Sequence, residues 1–429
     1  MKRLSQLFLG LMVLLCGTVL AQDHYLQCGF IVDTETGAIS SNKTIVVSGN
    51  QIVSITDGFQ TGGADDIVVD LRDKYVLPGF IDMHVHIEGE SNPGKYLEPF
   101  TLNDADVAFN AAEIAQRTLM AGFTTVRDLG GSGVNVSLRN AINRKKVVGP
   151  RIFTAEKALG TTGGHADPTN GFRKELMGDP GPKEGVVNGV DDARKAVRQR
   201  YKNGADWIKI TATGGVLSVA KSSKNPQFTE EEIKAIVETA NDYGMLVAAH
   251  AHGDDGMQRA IRAGVKTIEH GTLMSKETMA LMKEFDAYLV PTITAGKYVS
   301  EKAKVKGFYP EIIVPKALEI GPQIQEMFRT AYQEGVPIAF GTDAGVFPHG
   351  ENAKEFGYMV EAGMPAAETL KSATVTNARL LGMEGQLGAI KPGYLADIIA
   401  VDADPIKDVS TLEKVIFVMK DGDVFKQED

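Results

Sequence analysis

Cysteine is almost absent from this chain of 429 residues, which has only Cys16 and Cys28. Long apolar runs are also scarce: the longest, Leu7–Leu20, is too short to be a convincing membrane span. We expect residues 1–21 to be removed as a secretion signal, which would leave Cys28 alone and exclude an intrachain disulfide. The stability of the mature protein must then come from its core, which a chain of this length can supply.

The signal is predicted from the order of features in the first 21 residues. Lys2 and Arg3 precede the apolar run, and Val19-Leu20-Ala21 offers small residues for cleavage before Gln22. An uncleaved membrane anchor is the alternative. We expect a secreted, periplasmic protein that has no membrane contact after cleavage.

An excess of positive charge is lacking as well. Removal of Lys2 and Arg3 lowers the basic count from 45 to 43 against 55 acidic residues, so the net charge moves from −10 to about −12. Such a chain is a poor candidate for binding nucleic acid or an anionic membrane surface. Its composition, 43% apolar with 46 glycines, is typical of an α/β enzyme.

The middle of the chain alternates between strand-like and helix-like segments. Two helices are predicted at 104–120, which has one apolar face, and at 229–243, which opens with Thr229 and three glutamates. Eight such units predict a (β/α)8 TIM barrel over 80–382, with a doubly wound open sheet as the alternative. The barrel is favoured because it can bring strand ends from the whole series to one point. The eight apolar runs are 80–86, 124–129, 151–155, 206–212, 246–251, 266–270, 288–293 and 337–342.

The two ends of the chain resemble each other. Residues 22–79 and 383–429 both contain short strands separated by turns, and they predict one small β-sandwich domain built from both termini. The segment 158–189 contains eight glycines and three prolines with little periodicity. Loops of this length are usually functional or disordered, so we predict a lid or substrate loop on the catalytic face.

Two histidines end the first apolar run, in the segment FIDMHVH. Side chains at positions i and i+2 of a strand point to the same side, so His84 and His86 can reach one metal ion. A His-x-His pair alone is weak evidence, because chance pairs are common. Here the pair ends a buried strand, where two histidines without a partner would be costly, and a metal site is favoured.

Lys209 lies inside the apolar run DWIKITATGG. A buried lysine is rare, because taking an ammonium out of water is expensive. It can form an ion pair with a buried acid, act as a Schiff-base nucleophile, or react with carbon dioxide to give a carbamate. The carbamate is favoured here, because it is an anionic bidentate group that can bridge two metal ions.

Three further candidate ligands end later runs. His250 and His270 are each surrounded by small residues, and glycines flank Asp343 in FGTDAG, which permits close approach of a substrate. Taken singly, the histidines could be structural and the aspartate could cap a helix. The ordered set indicates a two-metal hydrolytic site at the strand ends of a barrel.

These segments, with GFTTVRDLGG, GGHAD, AGVKTIEHG and ATVTNARLLGMEGQLGAIKPGYLADIIAVDADP, cover the chain from about residue 25 to its end. As an ordered set they resemble the amidohydrolase superfamily, in the subgroup with a carboxylated lysine and two metal ions. Within it, the chain resembles prolidase-like bacterial dipeptidases that cleave Xaa-Pro or Xaa-Arg/Lys bonds. The motifs are specific for the superfamily and less specific for the substrate.

The resemblance implies the metal ligands. By the family pattern, His84, His86 and Asp343 are expected to bind the buried ion. His250 and His270 are expected to bind the more exposed ion.

The resemblance also implies the chemistry. N6-carboxylysine at Lys209 and a hydroxide would bridge the two divalent ions, which the histidine and carboxylate ligands predict to be zinc. The metal pair would activate the hydroxide and polarise the carbonyl. Asp343 would take the proton of the attacking hydroxide and deliver it to the leaving amine.

Several other polar residues have weaker predictions. By resemblance, His165 is expected to polarise the scissile carbonyl or hold the substrate, although an exposed loop histidine is the alternative. His252 is expected to contact substrate, where some relatives have tyrosine, and this departure leaves specificity for proline open. Arg127 and Asp128 could meet a substrate terminus, but an internal ion pair is favoured. His349 has no predicted role beyond the rim of the pocket.

The sequence therefore predicts a secreted two-zinc dipeptidase whose partner is a small peptide or amide substrate. The alternative enzyme is a hydrolase of another small amide, such as a cyclic amide or an N-acyl amino acid. A non-catalytic, metal-stabilised binding protein is disfavoured because the proton shuttle is present. A homo-oligomer formed through outer helices stays open.

Overall fold

The computed structural model describes residues 22–428, so the secretion signal expected at 1–21 lies outside the described residues. In chain order the strands are β1 His24–Val32, β2 Ile39–Ser48, β3 Gln51–Asp57, β4 Ile67–Pro78, β5 Phe80–Val85, β6 Phe123–Asp128, β7 Arg151–Thr154, β8 Ile208–Thr211, β9 Val247–Ala251, β10 Thr267–His270, β11 Tyr288–Val290, β12 Ile398–Val401, β13 Phe417–Lys420 and β14 Asp423–Gln427. The α-helices are α1 Glu98–Thr101, α2 Asp104–Met120, α3 Val134–Asn143, α4 Lys174–Met177, α5 Val190–Asn203, α6 Glu230–Asp242, α7 Asp254–Arg262, α8 Lys276–Glu284, α9 Ile293–Lys302, α10 Val314–Ile320, α11 Gln323–Gln333, α12 Lys354–Glu361, α13 Ala366–Lys371 and α14 Asn377–Leu380.

Parallel strands separated by helices form the middle of the molecule. Strands β5–β7 form one sheet and β8–β11 form another. Isolated parallel bridges connect the two sheets, from Leu159 to β8, from Ile338 to β11 and from Ala344 to β5. The sheets are therefore two arcs of one barrel, joined by single bridges instead of continuous ladders, and the predicted α/β barrel fold is confirmed.

The eighth predicted strand, 337–342, is the one that does not form a regular ladder. It makes isolated bridges only, at Ile338 and Ala344. Two side chains add to the backbone hydrogen bonds between these points: Asn377 Nδ2 donates at 2.9 Å to the Phe340 carbonyl, which also accepts from the Met83 amide at 3.0 Å, and the Thr342 amide donates to Asp82 Oδ1 at 3.1 Å. The Thr342 amide therefore bonds to a side chain where a regular strand would bond to a neighbouring backbone.

The predicted helices at 104–120 and 229–243 are confirmed as α2 and α6. α6 begins with a capping box in which the Glu232 amide donates to Thr229 Oγ1, and the Thr229 amide donates to Glu232 Oε2. The barrel core packs the inner faces of these helices against the strands. No helix of residues 22–428 is long and apolar enough to cross a membrane.

Both ends of the chain contribute to one seven-stranded sheet, in the order β14-β13-β12-β4-β1-β2-β3. A bridge between Gln51 at the start of β3 and Leu395 just before β12 brings the sheet back on itself. Its apolar side encloses a separate core that includes Leu26, Ile45 and Phe417. The predicted β domain from both termini is thus present as one folded sheet, while its boundaries at 79 and 383 stay predictions.

Candidate active site

The first two candidate ligands meet the last one at the carboxyl end of β5. The Nε2 atoms of His84 and His86 lie 3.4 and 3.3 Å from Asp343 Oδ1. The Asp343 amide donates to the His84 carbonyl at 2.7 Å, which fixes the two segments side by side. His270 completes a group in which ligand atoms of His84, His270 and Asp343 all lie within 4.8 Å of one another.

The remaining predicted histidines form a cluster next to this group. The ring of His250 lies 4.7 Å from that of His270, 4.7 Å from that of His252 and 4.4 Å from that of His165, measured between centroids. His250 and His252 come from the end of β9, and His165 comes from the long loop after β7. The structure therefore brings together all the histidines that the sequence assigned to the site.

Four of these histidines share a further property: one ring nitrogen is held by a protein group. His86 Nδ1 contacts the Gly130 carbonyl at 2.8 Å, and His250 Nε2 contacts the Gly214 carbonyl at 3.2 Å. The same holds for Nδ1 of His270 and of His252, which lie 2.7 and 2.8 Å from threonine hydroxyls, Thr292 and Thr272. Metal-binding histidines are oriented in this way, with the other nitrogen left for the ion.

His84 is held by a buried acid that the sequence analysis did not identify. Its Nδ1 lies 2.8 Å from Glu269 Oε2, a close contact that is not aligned as a hydrogen bond. Glu269 Oε1 pairs with Arg127 at 2.9 Å, and Glu269 and Arg127 are fully buried. Arg127 also packs over the Trp207 ring, with 4.5 Å between the guanidinium carbon and the ring centroid.

This pairing corrects part of the prediction for Arg127 and Asp128. Arg127 does form an internal ion pair, but with Glu269. Asp128 instead accepts hydrogen bonds from Thr154 Oγ1 and Asn135 Nδ2. Neighbouring residues of a strand point to opposite sides of the sheet, so the side chains of Arg127 and Asp128 have different surroundings.

A second buried acid missed by the sequence analysis supports the same strand end. Asp82 accepts hydrogen bonds from the His84 amide at 3.0 Å, Thr342 Oγ1 at 2.6 Å and Asn352 Nδ2 at 2.9 Å. The argument used for Lys209, that a charged residue inside an apolar run needs a reason, applies equally to Asp82 and Glu269. That argument would have identified both acids as candidate site residues.

Lys209 on β8 lines the same cavity and is 4% exposed. The carboxylates that influence it most, Glu269 and Asp343, contact other side chains, and no carboxylate in the described part of the chain lies within 4.0 Å of its ammonium. The ion-pair interpretation of Lys209 therefore finds no partner. Burial lowers the pKa of Lys209 to about 8, which makes the neutral amine more abundant than in an exposed lysine.

Burial dominates the electrostatics of the whole site. It lowers the pKa of His86 to about 4 and the pKa values of His165 and His252 to about 3. The imidazoles are therefore neutral at physiological pH, the form in which histidine binds metal ions. Burial also raises the pKa of Asp343 to about 8 in the metal-free chain, and Asp343 Oδ1 has no hydrogen-bond partner among residues 22–428.

His165 is partly buried over the site, in contrast to the exposed loop histidine that was the alternative. Its backbone amide donates to Gln227 Oε1 at 2.8 Å, and its Nδ1 has no hydrogen-bond partner among the described residues. The ring packs against Gly215, where a Cβ atom would lie 2.2 Å from His165 Cε1. The long loop thus contributes to the site, while its role as a lid stays a prediction.

His349 lies behind the site and does not line the cavity. Its Nδ1 contacts Thr118 Oγ1 at 2.8 Å and its Nε2 contacts the His86 carbonyl at 3.2 Å. Both ring nitrogens are therefore engaged by the protein. This histidine supports the segment that carries His86.

The candidate ligands face one cavity of about 300 Å³, together with His165 and His252. The ligand-type residues form its floor, and the opposite wall is apolar. Small-molecule sites typically have about 300–1,000 Å³, so the cavity fits a small substrate. The apolar wall consists chiefly of Val216, Leu217, Val299, Ile320, Ile324 and Val346.

Comparisons with known proteins agree with this geometry. Residues 75–425 match the model of the amidohydrolase family. The solved structure of an Xaa-Pro dipeptidase with bound methionine in the active site is 53% identical, with a TM-score of 0.91, over 94% of this chain and 100% of that one. A prolidase complexed with N-methylphosphonate-L-proline is 33% identical, with a TM-score of 0.86, over 95% and 100%. The ochratoxinase of Aspergillus niger is 32% identical over 372 residues, 83% of this chain and 76% of that protein.

Proposed function

The chain belongs to the amidohydrolase family and is a hydrolase acting on C–N bonds, and we propose that it is a secreted two-zinc dipeptidase that cleaves Xaa-Pro or Xaa-Arg/Lys bonds. One observation carries the proposal: a histidine and aspartate ligand set converges on a cavity of dipeptide size. The 53% identity to an Xaa-Pro dipeptidase supports the same substrate class.

The proposed ligands fit a pair of metal ions. His84, His86 and Asp343 would hold one ion, which the approach of both Nε2 atoms to Asp343 Oδ1 supports. His250 and His270 would hold the other, each through the ring nitrogen that the protein leaves unengaged. When bound, two divalent ions lower the pKa of a water molecule and polarise a carbonyl group.

We assign the bridging role to Lys209 as N6-carboxylysine. Its side chain is buried and has no carboxylate ion pair among residues 22–428, and burial increases the fraction of neutral amine, which is the form that reacts with carbon dioxide. The carbamate would supply a bidentate anion to the candidate ligands. Neutral imidazoles and anionic oxygens are ligands that suit zinc.

The chain's own residues supply the proton transfers and the orientation of the substrate. Asp343 Oδ1 is buried and has no hydrogen bond within the described part of the chain, so it can take the proton of the attacking water and deliver it to the leaving amine. His165 lies above the ligands and would donate to the scissile carbonyl. His252, held by Thr272, would contact the substrate beside it.

A hydrolase of another small amide is the second candidate, favoured by the similarity to an ochratoxinase at 32% identity. Its substrate would be a cyclic amide or an N-acyl amino acid. The same ligands and the same proton transfers would serve either bond, because both reactions add water to an amide carbonyl. The two candidate functions would differ only in which substrate fits the cavity.

A substrate screen on zinc-reconstituted protein separates the two candidates. We expect release of amino acids from a library of dipeptides, with two zinc ions per chain measured by elemental analysis. Turnover of N-acyl amino acids or cyclic amides with no turnover of any dipeptide would overturn the dipeptidase proposal.

Secretion is tested by N-terminal sequencing of the protein recovered from the periplasm, which should begin at Gln22. Sizing chromatography tests for a homo-oligomer.

A further inference from the structure

We infer that this dipeptidase selects proline or another apolar residue at the C-terminal position and rejects arginine and lysine. The inference rests on the proposed function and chooses between the two bond types that it leaves open. It follows from the charges and the apolar surface around the cavity.

The wall opposite the ligands offers no partner for a basic side chain. It is built by the loop after β8, by α9, α10 and α11, and by the segment after Asp343. Asp343 is the only carboxylate that lines the cavity within the described residues, and it faces His84 and His86. A guanidinium or ammonium placed against this wall would lose its hydration and gain no counterion.

The charge immediately behind the wall is also positive. Lys316 is buried, and its Nζ donates to the carbonyls of Gly215 and Ala220 at 3.0 and 2.8 Å. It thereby holds the loop that carries Val216 and Leu217 over the cavity. A basic substrate side chain near this loop would be repelled by Lys316, whereas an apolar one would not.

A second recess adjoins the cavity through His86, Leu217 and Val346. It contains one acid, Glu88, but both oxygens of Glu88 already accept hydrogen bonds, from the backbone amides of Asn135 at 2.7 Å and of Ser132. The recess also contains Lys95, whose ammonium is paired with Glu98 at 2.8 Å. The recess therefore provides an acid and a cation that are both already engaged, and it offers an arginine or lysine side chain no free carboxylate.

The size of the cavity extends the argument to both side chains of the substrate. A space of about 300 Å³ is at the lower end of the range for small-molecule sites. A dipeptide bound there must place both side chains against the same apolar surface. We therefore expect the preferred substrates to be dipeptides with two uncharged side chains, such as Ala-Pro.

The test compares matched dipeptides on the zinc-loaded protein: Ala-Pro, Ala-norleucine, Ala-Lys and Ala-Arg. Norleucine has the aliphatic chain of lysine without the ammonium, so the pair isolates the charge. We expect kcat/KM for Ala-norleucine and Ala-Pro to exceed that for Ala-Lys and Ala-Arg by about tenfold or more. Equal or greater turnover of Ala-Lys would overturn the inference and leave the dipeptidase intact, whereas no turnover of any dipeptide would overturn the proposed function itself.

Two pairs of variants test the wall directly. Leu217 and Val346 are partly exposed, so polar substitutions there should be tolerated. Leu217→Glu should raise the Ala-Lys to Ala-norleucine ratio about tenfold over Leu217→Gln, which has the same shape without the charge. Val346→Glu and Val346→Gln repeat the comparison from the other side, and ratios that do not differ in either folded pair would overturn the inference. If neither glutamate variant folds, the Ala-Lys to Ala-norleucine ratio of the unmodified protein decides whether the inference stands.

Discussion

Replacing Glu269 with glutamine tests whether a buried relay, formed by Arg127, Glu269 and His84, orients the candidate metal ligands. Glu269 lies between Arg127, at 2.9 Å, and His84, at 2.8 Å, and all three side chains are at most 1% exposed. Glu269→Gln keeps the volume and an oxygen for His84, but it removes the negative charge. The variant therefore changes the electrostatics of the relay with little change in packing.

Two effects of different size are expected. Arg127 becomes a buried cation without a counterion, which should cost about 3–5 kcal/mol in the free energy of unfolding. The cost should fall at the lower end, because Arg127 still donates to the Met83 carbonyl at 2.6 Å and to Thr267 Oγ1 at 3.1 Å. Loss of the group that orients His84 should weaken metal affinity by about 10–100-fold.

A double variant separates the two effects. In Arg127→Met with Glu269→Gln, neither buried charge remains, so most of the stability should return while the weak metal affinity persists. Stability is measured by urea unfolding of the metal-free protein, and affinity by zinc competition with a chromophoric chelator. Asp423→Asn is the matched control, because it makes the same acid-to-amide change in an exposed ion pair with Lys145. The relay would be refuted if the double variant regained metal affinity together with stability. It would also be refuted if Glu269→Gln alone were as stable as the parent protein.

Three further predictions address other parts of the molecule. Lys209→Ala should lose bound metal and activity together, with partial recovery when a short carboxylic acid is added; unchanged activity would remove the bridging role. Gly215→Ala should lower kcat towards the value of His165→Ala, because the new Cβ displaces the His165 ring, whereas Gly181→Ala, which has open space around it, should not. Thr229→Ala should lower the free energy of unfolding by about 1 kcal/mol, measured with urea, through loss of the N-cap of α6; an unchanged value would mean that the cap is energetically neutral.

Sequence reasoning located most of the candidate site because the candidate ligands lie at the ends of apolar runs. The i, i+2 spacing placed His84 and His86 together, and the cost of burying a charge singled out Lys209. The same reasoning did not pair Arg127 with Glu269, since the two lie on different strands and only the packing of the two sheets brings them into contact. Nor could it foresee that the side chain of Asp82 would accept from the Thr342 amide in the eighth segment.

The orientation of the ligands depends on backbone conformations that strand periodicity does not describe. His270, Thr292 and Asp343 have φ angles of 73°, 55° and 61°, values that non-glycine residues rarely adopt. In a regular strand Glu269 and His270 would point to opposite sides, yet Glu269 contacts His84 while His270 lines the cavity. Each such residue costs about 1–3 kcal/mol and persists only where its surroundings fix it.

The contacts that fix these residues belong to the site itself. Thr292 Oγ1 lies 2.7 Å from His270 Nδ1, and the Asp343 amide donates to the His84 carbonyl at 2.7 Å. Thr292 and His270, two of the strained residues, thus hold each other, and Asp343 is held through its backbone by the segment that carries His84. Contacts of this kind join residues from different strands of the barrel, which is why single apolar runs could predict candidate ligands but not how each one is turned toward the cavity.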